Sequence, residues 1–166
     1  MTSNKWMVLA VILAGVPCAA NGQAVVTERT LSYAAALEAA TAALAECQKN
    51  GYKVTITVLN HAGRTKVVLH DDGANPHTIE NSLRKAYTSL TFRSPSGEYG
   101  KRVTSNPQAV GALHLDKITT LEGALPIRSG NEVIGSIGIS GAPGGEKDAA
   151  CAQVGIDRIA KGLAGN

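Results

Sequence analysis

Little in this chain carries the mark of a known chemistry. It contains no Gly-x-Ser-x-Gly elbow, no phosphate loop followed by Lys-Ser or Lys-Thr, and no paired-cysteine zinc spacing, so none of those activities is signalled. Its 4 histidines are irregularly spaced, which argues against a preformed structural zinc site. A formal net charge of +3 gives no support to nucleic-acid binding. Aromatic residues are only 4% of the 166. Alanine and glycine are plentiful and mean hydropathy is average, as in a compact globular domain and unlike a disordered or fibrous chain. The length suits one domain with a real core and is short for two.

Only one apolar run stands out, and it is N-terminal. Lys5 precedes Trp6 to Val16, and Pro17-Cys18-Ala19-Ala20-Asn21-Gly22-Gln23-Ala24 follows with small residues. This predicts a secretory signal over residues 1–24, cleaved after Ala24 or Ala20, ahead of a single domain over 25–166. The run falls short of the roughly 20 apolar residues that span a bilayer, and no later stretch reaches that length, so no stable membrane anchor is expected after cleavage. Pro17 stands where a small residue should precede a lipidated cysteine. Export leaves Cys47 and Cys151, which in an oxidising compartment can either pair or remain two buried thiols. Cys47 falls on the apolar stripe of its helix and Cys151 falls off the stripe of its own.

A helix is predicted from Ser32 to Asn50, with Ser32 as N-cap, Tyr33, Leu37, Ala40, Leu44 and Cys47 at helical spacing, and Asn50-Gly51 as the stop. Its alanines leave room for close packing. Val54, Ile56 and Val58 alternate with Thr55 and Thr57 as a half-buried strand, and Arg64 to His70 returns as its hairpin partner across Asn60-His61-Ala62-Gly63. His61 reads as a solvated turn residue and His70 as a strand-edge histidine. Asn75-Pro76 opens a second helix, with Ile79, Leu83, Ala86, Tyr87 and Leu90 on its apolar face and His77, Asn81, Arg84, Lys85 and Thr88 on its polar side. A shorter helix follows from Pro95 to Val103. Gln108 to Leu121 holds a turn of helix and a strand around Ile118 to Leu121, with His114 partly buried between Leu113 and Leu115.

The most distinctive text runs from Glu122 to Asp148. Leu125-Pro126-Ile127 and Val133 to Ile139 form a hairpin across Ser129-Gly130-Asn131. Glycines in the second strand stand where a helix, a neighbouring subunit or a ligand comes close to the backbone. The loop Gly141 to Gly145 leads into a last helix, Glu146 to Leu163, with Ala149, Ala152, Ile156, Ile159, Ala160 and Leu163 inward and Asp148 placed to suit the dipole. Together these elements predict an α/β protein of the α+β type, with about five mainly antiparallel strands flanked by helices.

One histidine suffices to hold a haem iron from one side, and neighbouring cations can pair the propionates. His77 with Arg84 and Lys85 meets that description on a single helix. A solvated helix surface meets it as well.

Asp72-Gly73-Ala74, Arg84-Lys85-Ala86-Tyr87-Thr88-Ser89, Leu125-Pro126-Ile127, Val133-Ile134-Gly135-Ser136-Ile137-Gly138-Ile139-Ser140-Gly141, then Asp148 and Ala152 to Gly155 resemble the GlcG/HbpS family of haem-binding proteins. The likeness runs from about Thr30 to the end. It implies a helix-flanked five-stranded antiparallel sheet, homo-oligomers of two or more subunits, and binding of haem or a related tetrapyrrole. Other members resemble the domain fused to cobalamin adenosyltransferases. The family's ligand residues vary among members; the local chemistry together with the likeness points to His77 on the metal and Arg84, Lys85, Thr88 and Gly141 around the cofactor, in a periplasmic or secreted protein that is non-catalytic or weakly haem-degrading. The alternatives are an accessory binder of a corrinoid or small organic acid, held by Lys85 and the Gly141 loop, and an enzyme of small hydroxy-acid or aldehyde metabolism. Gly123-Ala124 replaces a common Gly-Gly and Ser89 a common Ala, the first narrowing the space near the hairpin.

Overall fold

A computed structural model describes residues 24–164. The predicted leader lies outside them up to its last residue. The elements are α1 (Tyr33–Lys49), β1 (Thr55–Asn60), β2 (Thr65–His70), α2 (His77–Phe92), α3 (Ser96–Ser105), a 3-10 helix (Pro107–His114), β3 (Ala124–Ser129), β4 (Glu132–Ser140) and α4 (Gly145–Leu163). Four strands in the order β2-β1-β4-β3 make an all-antiparallel sheet. No helix among the described residues is long and apolar enough to cross a membrane.

The sheet is covered on both faces, and the two faces are chemically unlike. Ile56 and Val58 of β1, with Ile137 and Ile139 of β4, point into the main core against α1 and α4. There Ala36, Ala39, Ala40 and Ala43 let α1 lie close, as the alanine-rich sequence predicts. Period-2 alternation sends Thr55, Thr57, Ser136 and Gly138 to the opposite face, under α2. That face is built from hydroxyls. Thr55 Oγ1 meets Thr78 Oγ1 at 2.7 Å, Thr57 Oγ1 meets Ser82 Oγ at 2.8 Å, and Ser136 Oγ donates to the Ala86 carbonyl at 2.8 Å. A Cβ on Gly138 would stand 2.4 Å from the Ser82 carbonyl and 2.6 Å from the Ala86 nitrogen. The glycines of β4 therefore admit a helix of the same chain.

This corrects the predicted faces of α2. Its inward side is Thr78, Ser82, Lys85, Ala86 and Ser89, while Ile79 is 47% exposed. Apolar periodicity points the wrong way because the surface below offers hydrogen-bond partners, which short polar side chains satisfy and aliphatic ones do not. In α4 the expected face is largely kept, with Ala152 and Ile159 buried and Ile156 and Leu163 packed against the core, but Ala160 is exposed and Asp148, Cys151 and Gly155 also face inward. Cys151 thereby reaches Cys47 of α1 in a disulfide, with 5.6 Å between the Cα atoms.

The expected fifth strand does not form. Ile118 to Leu121 runs as extended coil over α3, where a Cβ on Gly100 would meet the Thr120 carbonyl and one on Gly97 the Glu122 side chain. The Thr119 amide donates to Thr88 Oγ1 at 2.9 Å and so finds a side chain in place of a strand. Below this coil Tyr99, Val103 and Ile118 make a second small core, with Phe92 stacked on Tyr99 at 3.9 Å between centroids. His114 is exposed on the 3-10 helix, not partly buried.

Candidate functional site

The first half of α2 faces a cavity of about 390 Å³. His77, Asn81 and Lys85 form its α2 wall, Leu121 and Glu122 its loop wall, and Ser140, Gly141 and Ala142 the end of β4, with Gly145 and Asp148 from α4. The spacing of 77, 81 and 85 follows from a helix, in which residues four apart share a face. Helix α2 begins where Asn75 accepts from the Thr78 amide and hydroxyl, which leaves His77 in the first turn, exposed at the rim.

The floor of the cavity is an ion pair. Lys85 Nζ lies 2.7 Å from Asp148 Oδ2, with the two side chains 5% and 3% exposed. Lys85 also donates to the Ile139 carbonyl at 2.9 Å, and Asp148 Oδ1 accepts from the Ala142 amide at 3.0 Å. Burial pushes the Asp148 carboxyl above its usual range, against the pull of the Lys85 ammonium and the Ala142 amide. Gly123, at φ +132, makes space for the pair: a Cβ there would stand 2.7 Å from Lys85 Nζ and 2.8 Å from Asp148 Cβ. At the rim, Asn81 Nδ2 donates to Ser140 Oγ at 3.0 Å.

Three of the five residues singled out from the sequence, His77, Lys85 and Gly141, thus line one cavity. Lys85 does so from a buried position and not from the exposed polar side predicted for it. Thr88 is buried and serves the backbone of the 118–121 coil. Arg84 points outward, 40% exposed and 3.8 Å from Glu80. His70 meets Thr55 Oγ1 through Nδ1 at 2.6 Å, a strand-edge role as expected. His61 is not a freely solvated turn residue, because Glu28 pairs with it at the edge of a second cavity of about 440 Å³. From the sequence, Asp148 stands out for the helix dipole and as part of the family resemblance, with no site role, and Gly123 as one of a pair of small residues. The partner of Asp148 lies 63 residues away, a separation that no local pattern reports.

Residues 31–157 match the HbpS-like family, described as haem degrading protein HbpS-like. Among solved structures, a double mutant of Streptomyces reticuli HbpS superposes with a TM-score of 0.77 at 31% identity, over 92% of this chain and 99% of that one. The PduOC:heme complex superposes with a TM-score of 0.71 at 24% identity, over 78% of this chain and 95% of that chain, a likeness of fold. Protein GlcG of Escherichia coli K12 is 30% identical over 95 residues, 57% of this chain and 69% of GlcG. A 15.0 kDa protein of the dhaT-dhaS intergenic region of Citrobacter freundii is 29% identical over 130 residues, 77% of this chain and 91% of that protein. With most of the described fold inside the match, and the hydroxyl-seated α2 and the glycine-bearing hairpin both within it, the chain belongs to the HbpS-like family.

Proposed function

We propose that this protein binds haem at the mouth of the α2 cavity, with His77 as axial ligand. The observation that carries this reading is the position of the imidazole. It stands exposed on the first turn of α2, at the rim of a cavity, and makes no hydrogen bond among the described residues. A neutral imidazole in that position can hold iron from one side. At 390 Å³ the cavity is near the lower end of the roughly 300–1,000 Å³ range of ligand sites, so it admits part of a tetrapyrrole while the ring rests outside. Leu121, 52% exposed at the wall, offers apolar contact there. Arg84, two turns from His77 and 3.8 Å from Glu80, supplies an outward cation for a propionate.

The family description and the haem named in the PduOC structure support the choice of ligand. The Cys47–Cys151 disulfide supports export to a periplasmic or extracellular compartment, in agreement with the leader read from the sequence. Assembly into homo-oligomers would enclose the part of the macrocycle that the cavity leaves outside.

Titration of the purified protein with haemin is expected to give a shifted Soret band that His77→Ala removes. The absence of any shift sinks the haem reading. A shift unchanged in His77→Ala sinks the axial assignment alone.

A further inference from the structure

We propose that the cavity floored by Lys85 and Asp148 is a carboxylate socket, which takes either a propionate arm of the macrocycle or a free small organic acid. The propionate version rests on the haem reading above; the free-acid version does not. The cavity holds uncommitted donors. An ammonium carries three N–H groups, and Lys85 uses two, on the Ile139 carbonyl and Asp148 Oδ2. The Asn81 amide has two and uses one, on Ser140 Oγ. Ser140 accepts that bond, and its own O–H has no acceptor among the described residues. All three side chains line the same cavity, and Lys85 and Ser140 are 4% and 3% exposed. Spare donors converging in a confined space fit an acceptor-only group, which is what an ionised carboxylate is.

The surrounding charges agree with this. Both Asp148 oxygens are engaged, one by Lys85 and one by the Ala142 amide. The other carboxylate at the wall, Glu122, directs its end towards Gly97 of α3, since a Cβ on Gly97 would touch Glu122 Cγ and Cδ at 2.8 Å. A buried ion pair is weak evidence for stability, because taking each ion out of water costs several kcal/mol and apolar packing serves as well. Placed in a cavity, such a pair is a candidate for function. Here it holds a donor in place without leaving an unpaired cation indoors.

Two variants separate the socket from the scaffold. Asn81→Asp keeps the size and can keep the Ser140 bond with the hydroxyl as donor, while placing a negative charge in the socket. Lys85→Met with Asp148→Leu removes both charges together, the form of change that buried pairs tolerate. Haemin and haemin dimethyl ester, which differ only at the two carboxylates, are titrated by Soret absorbance, and glycolate and succinate are tested by thermal shift. A propionate occupant is expected to bind about tenfold more tightly than the ester, the scale of a hydrogen bond to a charged group, with the difference lost in both variants. A free-acid occupant is expected to leave acid and ester equal while glycolate or succinate raises the Tm of the unsubstituted protein and of neither variant. Equal binding of acid and ester with no stabilisation by either free acid overturns the socket. Should haemin give no Soret shift at all, the haem reading falls and the thermal-shift arm still decides the socket.

Discussion

Lys85 and Asp148 stand 63 residues apart in the chain and meet at 2.7 Å, joining the middle of α2 to the first turn of α4 beneath one cavity. The contact makes the site a product of the whole fold, since β4 and Gly123 must also be in place around it.

The pair yields a prediction about stability. Lys85→Met alone leaves a buried carboxylate without its partner and is expected to lower the unfolding free energy by about 3–5 kcal/mol. Lys85→Met with Asp148→Leu is expected to lower it by less than half as much. Urea denaturation of the three proteins checks the ordering; a double variant less stable than the single would refute it.

Reducing the Cys47–Cys151 disulfide, which spans 104 residues, releases a long loop in the unfolded chain. The expected loss is about 2–5 kcal/mol, read as a fall in the urea midpoint with added reductant. Cys47→Ala with Cys151→Ala should show the same fall and no further response to reductant.

Gly138→Ala is expected to cost about 1–3 kcal/mol or more, because the new methyl group meets α2 backbone and not a movable side chain. If α2 shifts to accommodate it, haemin affinity should fall as well. Gly51→Ala, where a Cβ meets nothing within 4 Å but φ is +76, serves as the control for backbone strain without overpacking.

Acid should weaken the fold partly through Asp71. The Gln48 amide, at 2.9 Å, and the Lys53 ammonium, at 3.4 Å, hold this carboxyl below its usual range. The folded protein therefore binds that proton less readily than the unfolded chain does. The stabilisation is present above the ordinary carboxylate range of about 4 and is lost as the pH falls through the lowered folded value. Asp71→Asn should flatten the acid limb of a stability-against-pH curve. Asp148, pushed upward by burial, acts with the opposite sign, so the Lys85→Met/Asp148→Leu protein should show a steeper acid limb.

The bounds of helix α1 were legible to within a residue, because Ser32 caps it through the Ala35 amide, but its stripe was only partly so: Ala40 and Cys47 are buried, whereas Tyr33 and Leu37 are exposed and Ala36, Ala39 and Ala43 fill the inward face. Both hairpins were legible for the same reason of local chemistry: alternation fixes the strands, and glycines at positive φ fix the turns at Gly63 and Gly130. His77, Lys85 and Gly141 line one cavity, but the burial of Lys85 was not legible. Its burial depends on a carboxylate from another helix, and on a sheet face made of Thr and Ser that no amphipathic pattern announces. The missing fifth strand has a similar origin. Thr119 bonds to Thr88 and Thr120 settles on Gly100, contacts invisible to a search for period-2 alternation.

The hydroxyl seating of α2 bears on how accurately the imidazole can be held. A helix on a greasy bed can slip by a turn and recover most of its contacts. One keyed by Thr55 to Thr78, Thr57 to Ser82 and Ser136 to Ala86 would strand buried oxygens at every other setting, at about 1–3 kcal/mol each. Position along the axis is thus digital, and His77 inherits a single address relative to the sheet.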